Sequence, residues 1–238
     1  MQEGHSGSQV ETPAAVAALL DWWKLSGVDT LVGDIPESWF VPEAAVPAAQ
    51  PAAIERRPAP ARTDAYATAQ TLDDLRAMVR KGAPFADGNP QSGLWIVGEA
   101  PSAEDLRTGR PFTGPAGLLL DRMLAAIGLD RSRVYITLLC PERRVPGTPA
   151  PEDIAAAMPL LQAHLRLAPP RLMLLLGQNP VQALAGETIA ISKIRGQWLQ
   201  VGDAPALATF NPAYLLRRPE EKVNAWADLL AFRKRLLN

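Results

Sequence analysis

Cysteine and histidine are the residue types that this sequence almost lacks. The 238-residue chain contains one cysteine, Cys140, and two histidines, His5 and His164. A single thiol excludes an internal disulfide framework and any metal or cluster site built from four cysteines. Two histidines also argue against a histidine-based catalytic triad and against a metal centre with several histidine ligands. We therefore predict no bound metal and no cofactor.

Long hydrophobic runs are absent as well. The longest apolar segments, such as residues 172–176, are far shorter than the roughly 20 residues needed to cross a bilayer. The first residues show no basic segment followed by an apolar stretch, so no secretory signal is predicted. We expect a cytoplasmic, monomeric protein with no membrane partner.

An excess of charge of one sign is missing from the whole chain but not from its parts. The net charge is −1. Residues 1–70 hold 4 basic and 9 acidic residues, whereas residues 71–238 hold 20 basic and 16 acidic residues. A mildly basic body permits nucleic-acid binding, although ordinary surface charge explains the same numbers.

The N-terminal third differs in composition from the rest of the chain. Residues 1–41 contain a predicted amphipathic helix that needs a partner surface, with an apolar stripe formed by Val16, Leu19, Leu20 and Trp23. Residues 42–70 are rich in proline and alanine, which is typical of an extended linker. We predict a helical extension, a linker and a domain over residues 71–238. The extension either docks on that domain, where it could act as a weak autoinhibitor, or binds a partner protein.

Strand and helix patterns alternate from residue 71 onward. Buried strands are predicted at residues 94–97, 134–139 and 172–176, and shorter ones at residues 198–201 and 207–209. Helices are predicted from Thr71, around residues 119–127, and over residues 151–167 and 219–237. Strands that are apolar on both faces indicate a mostly parallel sheet covered on both sides. The predicted fold class is α/β, a three-layer α/β/α sandwich.

Ligands of such sheets bind beyond the carboxyl ends of the strands. Three segments are predicted to leave those ends as loops, namely residues 98–114, 140–150 and 210–218. Neither a GxGxxG nor a GxxxxGK[ST] motif is present, so the common nucleotide-binding sites have no support.

The first of these loops holds the most informative residues. Glu99 places a carboxylate directly after a buried strand, and Phe112 would be an exposed ring unless it stacks on something. Glu104 and Asp105 are expected to stay solvated or to pair with nearby arginines. The third loop combines the Asn211 amide with apolar and cationic residues.

Five motifs in one order resemble the uracil-DNA glycosylase superfamily, and its iron–sulfur branch, called family 4, most closely. They are Gly98-Glu99-Ala100-Pro101 together with residues 109–117 and Leu119-Leu120-Asp121-Arg122-Met123-Leu124; Leu174-Leu175-Leu176-Gly177; Ile194-Arg195-Gly196-Gln197-Trp198; Asn211-Pro212-Ala213-Tyr214-Leu215-Leu216-Arg217; and Trp226-Ala227-Asp228. The resemblance covers about residues 71–238 and leaves residues 1–63 outside.

The resemblance implies a DNA glycosylase that flips a deaminated base out of the helix and hydrolyses its glycosidic bond. Glu99 would orient water or stabilise the sugar cation, Asn211 would contact a base carbonyl, and both would be catalytic. The implied base-binding residues are Ala100, Pro101, Phe112, as the stacking ring, and Leu138. The implied DNA-binding residues are Ser102, Gly114, Arg143, Arg144, Pro212, Tyr214, Arg217 and Arg218. The implied partner is DNA that contains a damaged or deaminated base.

The chain departs from the family pattern at several positions. It lacks the four cysteines of the iron–sulfur cluster, has Asn211 where the family usually has histidine, and has Leu138 where an asparagine reads the uracil edge. A leucine cannot enforce a hydrogen-bond pattern, so substrate preference is predicted to extend beyond uracil. Pro146 stands where one branch has a histidine that traps the sugar covalently, so covalent trapping is excluded. No lysine lies in a matched motif, and no lyase step is predicted.

Two other functions remain open on the sequence. One is a non-catalytic DNA-binding or repair-associated protein on the same fold, because the base-reading asparagine and the motif histidine are missing. The other is a hydrolase of free nucleosides or other small N-glycosides. Strong salt dependence of binding would favour a DNA ligand over a small one.

Overall fold

The computed structural model describes residues 66–143 and 147–237. The predicted N-terminal extension, most of the predicted linker, and the positions of Arg144 and Pro146 lie outside these residues.

A single sheet of six strands organises the described residues. The strands are β1 (Ala86–Gly88), β2 (Leu94–Gly98), β3 (Tyr135–Leu138), β4 (Leu172–Leu176), β5 (Trp198–Val201) and β6 (Ala204–Thr209). Their order across the sheet is β1-β3-β2-β4-β6-β5. The four central strands are parallel, and the two edge strands pair antiparallel with their neighbours. The predicted mostly parallel sheet is therefore confirmed, while β1 was not predicted.

Eight α-helices accompany the sheet in the part of the chain that is described. They are α1 (Leu72–Met78), α2 (Ala103–Thr108), α3 (Pro115–Ala126), α4 (Pro151–Leu167), α5 (Gln178–Ala185), α6 (Ile191–Ile194), α7 (Pro212–Arg217) and α8 (Lys222–Leu236). Helix α4 has the bounds that the sequence predicts, residues 151–167. At α1, the predicted capping box is present, because the Thr71 hydroxyl accepts from the Asp74 N–H and the Asp74 carboxylate accepts from the Thr71 N–H.

The sheet separates two hydrophobic cores. On one face, alternate residues such as Trp95, Val97 and Met173 pack against α1, α4 and α5. On the other face, Ile96 and Leu174 pack against α3, α7 and α8. Both central strands β2 and β4 are buried along their whole length, which is why their sequences are continuously apolar. The predicted three-layer sandwich is confirmed.

Two of the three predicted loops contain helices. Residues 98–114 were predicted to form a polar loop, but α2 lies within them because Ser102 and Asp105 form a capping box. Residues 210–218 were also predicted to form a loop, but α7 begins there, with the Asn211 side chain as its N-cap and Pro212 as its first residue. Both helices have six residues, so neither shows the apolar periodicity that identifies longer helices.

The C-terminal segment begins with a short 3-10 turn (Pro219–Glu221) before α8. Among the described residues, no helix is long and apolar enough to cross a membrane.

Candidate active site at the carboxyl edge of the sheet

The carboxylate of Glu99 lies just beyond the end of β2, where it is half-buried. Its Oε1 atom accepts a hydrogen bond of 3.4 Å from the backbone N–H of Asn179. Burial raises the pKa of Glu99, and the Asn179 N–H and the charge of Arg217 oppose this rise only in part. The site therefore holds a carboxyl group whose proton affinity is higher than that of an exposed glutamate.

Gly177 brings Glu99 and Asn211 together. It follows β4 with a φ of +107°, and a Cβ atom added to it would lie 2.7 Å from Glu99 Oε1 and 3.4 Å from Asn211 Cβ. Both side chains thus lie against the backbone of the same glycine. A larger residue here would displace the Glu99 carboxylate and would have to adopt a backbone conformation that favours glycine.

Asn211 is held by its role as a helix cap. Its Oδ1 accepts from the Ala213 N–H at 2.9 Å, and its Nδ2 donates to the Leu176 carbonyl at 3.4 Å. An amide nitrogen carries two hydrogens, so the second one can be donated to a ligand.

The ring of Phe112 lies over Gly98, the residue that precedes Glu99. A Cβ atom added to Gly98 would collide with the Phe112 ring and with a methyl group of Leu138. The sequence left the ring exposed unless it stacks on another group, and in the structure Phe112 is only 7% exposed because this contact joins it to the core on the α3 side. Phe112 also has a φ of +55°, in the left-handed region.

Asp105 is buried, which corrects the prediction that it stays solvated or pairs with arginine. Its Oδ1 accepts from the Thr113 N–H at 2.7 Å and its Oδ2 from the Ser102 N–H at 2.9 Å. Glu104, in contrast, forms the predicted pair with Arg107. Asp105 therefore fixes the loop that carries Phe112 and does not belong to the solvated surface.

The other predicted base-binding residues lie close to this loop. Leu138 ends β3 and is 2% exposed, Pro101 is buried, and Ala100 is half-buried against the core on the α4 side. With a hydrocarbon side chain, Leu138 offers no hydrogen bond at the position where the family pattern has an amide.

The four uncharged residues predicted to bind DNA occur at helix starts. Ser102 caps α2, Gly114 is the N-cap of α3, and Pro212 is the buried first residue of α7. Tyr214 stacks on Phe210 with ring centroids 5.1 Å apart. The structure thus gives each of them a local structural role.

The predicted DNA-binding cations differ in how they are held. Arg143 forms an ion pair with Asp153, with 2.9 Å between Nε and Oδ2, and its Nη1 donates a hydrogen bond of 2.9 Å to the Gly147 carbonyl. Arg218 pairs loosely with Glu220 at 3.6 Å. Arg217 is exposed, and its positive charge lowers the pKa of Glu99. Arg217 is therefore the described cation with the clearest electrostatic link to Glu99.

The sequence predictions named Gly177 only as part of a matched motif and gave the segment after β4 no role in the site. Gly177 and Asn179 contact Glu99 from there, although the predictions considered only the loops after three other strands. The strand at residues 172–176 was itself predicted, and the carboxyl ends of parallel strands share one edge. That rule alone was sufficient to include this segment.

The residues present do not fit a four-thiolate iron–sulfur cluster. Cys140 is buried, and burial raises the pKa of its thiol to about 12. Within the residues that the structure covers, no group of three or more histidine, cysteine, aspartate and glutamate side chains could hold a metal ion. Two residues after Cys140, the Glu142 carboxylate connects two other parts of the chain. It accepts hydrogen bonds from Tyr66 Oη at 2.8 Å and from the Arg80 N–H at 2.6 Å.

A family model and several relatives found by comparison with known proteins all belong to the uracil-DNA glycosylases. The family model of the uracil DNA glycosylase superfamily matches residues 85–230. A type-4 uracil-DNA glycosylase of Thermotoga maritima is 36% identical over 146 residues, which are 58% of this chain and 73% of the relative. Proteins of the same name from Pyrobaculum aerophilum and Archaeoglobus fulgidus are 33% and 34% identical, over 64% and 56% of this chain and 83% and 71% of the relatives.

Proposed function

The chain belongs to the uracil-DNA glycosylase superfamily, and we propose that it hydrolyses the glycosidic bond of uracil or another deaminated base in DNA. The product would be an abasic site in DNA, as in base excision repair. The observation that carries the proposal is the convergence at one sheet edge. The Phe112 ring covers Gly98, the next residue is Glu99, and Glu99 and Asn211 meet at Gly177.

The proposed reaction needs few protein groups. As the bond to the base breaks, the sugar becomes cation-like and the departing base gains negative charge. The Glu99 carboxylate would stabilise the sugar or orient the attacking water. Because burial raises its pKa, Glu99 would also hold a proton at a higher pH than an exposed glutamate.

The other two groups act on the base. The free hydrogen of Asn211 Nδ2 would be donated to a base carbonyl and would stabilise the developing charge. The Phe112 ring would stack on the flipped base. Ala100, Pro101 and Leu138 would form apolar walls, which bind a planar base without selecting one hydrogen-bond pattern.

No proposed step uses a metal, a cluster, a lysine or a covalent intermediate. The donor set does not fit a cluster, and water is the only co-reactant that hydrolysis requires.

DNA would be held mainly through its phosphates. Arg143, Arg144, Arg217 and Arg218 are the proposed cationic contacts, and Ser102, Gly114, Pro212 and Tyr214 the proposed uncharged ones. Such contacts make affinity fall steeply with salt. We expect a monomer that acts in the cytoplasm, with an N-terminal extension that either docks on the domain or binds a partner protein.

A second function is favoured by Leu138. The side chain at this position is buried and cannot form hydrogen bonds, so a non-catalytic protein that binds DNA on the same fold is the alternative.

The proposal is tested by base release from end-labelled oligonucleotides that contain uracil, hypoxanthine or xanthine. Single strands and mismatched duplexes are treated with the protein and a chelator, and abasic sites are cleaved with alkali. We expect release that falls by about 10²–10⁴-fold in Glu99→Ala and is unchanged in Glu104→Gln, whose side chain is exposed and paired with Arg107.

Two outcomes would contradict the proposal. Release that persists in Glu99→Ala would indicate a contaminating enzyme or a different catalytic group. Salt-dependent DNA binding by a folded protein that releases no base would establish the non-catalytic alternative.

A further inference from the structure

We propose that Arg131 and Asp105 are positioning residues for base excision, because together they hold the peptide group that follows Phe112 and thereby fix its ring. The inference rests on the proposed function, in which that ring stacks on the flipped base. Neither residue belongs to the motifs that identified the site.

The backbone of Phe112 needs an external restraint. Among the described residues, Phe112 is the only non-glycine with a positive φ, at +55°. Side chains with a Cβ avoid this region, and an aromatic residue visits it only when its surroundings impose it. Strained conformations of this kind cluster at functional sites.

One edge of the peptide group is held by a cation. Arg131 Nη2 donates to the Phe112 carbonyl at 2.5 Å, and its Nη1 donates to the Pro111 carbonyl at 3.2 Å. The guanidinium is itself fixed from the other side by Asp87 at 2.6 Å and Asp121 at 2.7 Å. A group fixed by two carboxylates cannot turn away without losing both ion pairs.

The opposite edge of the same peptide group is held by an anion. The Thr113 N–H donates to Asp105 Oδ1 at 2.7 Å, and the Thr113 hydroxyl donates to the same oxygen at 3.0 Å. Asp105 is 4% exposed, so water competes little for these bonds. Since the Phe112 carbonyl and the Thr113 N–H belong to one planar unit, the two side chains together fix its orientation.

A close helix completes this arrangement. A Cβ atom added to Gly117, in the first turn of α3, would collide with the Phe112 carbonyl. The loop is therefore enclosed by Arg131, Asp105 and α3. These contacts hold the ring against Gly98, the residue that precedes Glu99.

The test separates positioning from general stabilisation by a double-mutant cycle. Arg131→Gln and Asp105→Asn are each combined with Phe112→Ala, and kcat/KM for base release and the unfolding temperature are measured for all variants. We expect each single variant to lose on the order of 10²-fold in kcat/KM, because small misplacements of a binding group cost this much. In the Phe112→Ala background the same changes should alter kcat/KM by less than about threefold, while they still lower the unfolding temperature.

Matched controls lie beside both residues. Arg131 and Arg133 lie in one short 3-10 turn (Arg131–Arg133). Arg133→Gln removes a cation that donates to the Gly128 carbonyl at 2.7 Å and not to the loop of Phe112. Glu104→Gln changes the carboxylate next to Asp105. Both should leave kcat/KM unchanged. Arg131→Lys, which keeps the charge and one donor, should recover part of the loss and serves if Arg131→Gln does not fold.

The inference can fail without the proposed function failing. Losses in kcat/KM that are the same with and without the Phe112 ring would show that Arg131 and Asp105 act only on stability. If the wild type releases no base, the proposed function fails. Proximity of the Phe112 ring to the Leu138 methyl groups, measured by NMR, then decides the part of the inference that concerns the ring, namely whether Arg131 fixes its position. We expect this proximity to be lost in Arg131→Gln, and an unchanged signal would overturn the inference.

Discussion

At the scale of single residues, Glu99 lies in surroundings that oppose its own charge. Burial disfavours the ionised carboxylate, whereas the Asn179 N–H and the nearby Arg217 favour it. The balance leaves the pKa raised. The pH at which Glu99 loses its proton therefore depends on these neighbours, and a change in one of them should shift the pH dependence of the rate.

In a plot of the rate of base release against pH, the acidic limb is the part in which the rate falls at low pH. Removing Arg217 should move this acidic limb to higher pH. The Arg217 charge lowers the pKa of Glu99, so Arg217→Gln lets that pKa rise further. If the ionised form of Glu99 is the active one, activity is lost as the pH falls through the folded-state pKa, and this loss then begins at a higher pH. The measurement is the single-turnover rate of base release at saturating enzyme, from acidic to neutral pH.

The control for this prediction is the neighbouring cation. Arg218 pairs with Glu220, so Arg218→Gln should leave the acidic limb in place even if it weakens DNA binding. An acidic limb that does not respond to Arg217→Gln would mean that another group controls the rate.

The sequence was sufficient to predict that Glu99 and Asn211 lie at one edge of the sheet, but not to describe their neighbours. Their motifs place them after predicted strands, and parallel strands end at the same edge. Gly177 and Arg131, in contrast, act through a missing Cβ atom and through bonds to backbone carbonyls. No local sequence pattern predicts the close approach at Gly177 or the hydrogen bonds of Arg131, because both depend on which segments meet in space.

At the scale of elements, burial decided what could be predicted. The strand at residues 172–176 and the helix at residues 151–167 have the predicted bounds, because continuous or periodic apolar residues define them. Strand β1 has three residues and owes its conformation to pairing with β3. The short helices α2 and α7 depend on side-chain caps, which are visible in the sequence but are easily taken for loop residues when proline and glycine surround them.

The segment after β3 provides a prediction at this scale. Glu142 joins it to Tyr66 and to the backbone of Arg80. Glu142→Ala should reduce the free energy of unfolding by about 2 kcal/mol, because it leaves a backbone N–H unpaired and removes a hydrogen bond to a charged group. Urea unfolding followed by circular dichroism measures this change.

Two milder variants form the matched series for Glu142. Tyr66→Phe removes only the hydroxyl and Glu142→Gln keeps one acceptor oxygen, so both should reduce the free energy of unfolding by less than Glu142→Ala. Equal effects in all three variants would contradict the assignment of Glu142 as a joint between two segments.

At the scale of the whole molecule, the packed domain includes residues before the predicted boundary at 71. Tyr66 is 2% exposed and Ala69 is fully buried, and both belong to the core on the α4 side. Arg166 Nη2 donates to the carbonyls of Ala67 at 3.4 Å and Ala69 at 2.8 Å. The composition of the predicted linker did not show that these residues belong to the packed domain, because alanine is typical of both linkers and tightly packed cores.

The position of a truncation should therefore matter more than its length. A chain of residues 64–238 keeps Tyr66 and its partners, and we expect its core to unfold at nearly the same urea concentration as that of the full chain. A chain of residues 71–238 loses a buried aromatic side chain and the partners of Arg166, which should reduce the free energy of unfolding by about 3 kcal/mol or more. Equal stability of the two truncated chains would show that the segment around Tyr66 adds nothing to the domain. Because the edge with Glu99 and Phe112 is built on the same sheet, base release by the shorter chain should fail at a lower temperature than release by the longer one.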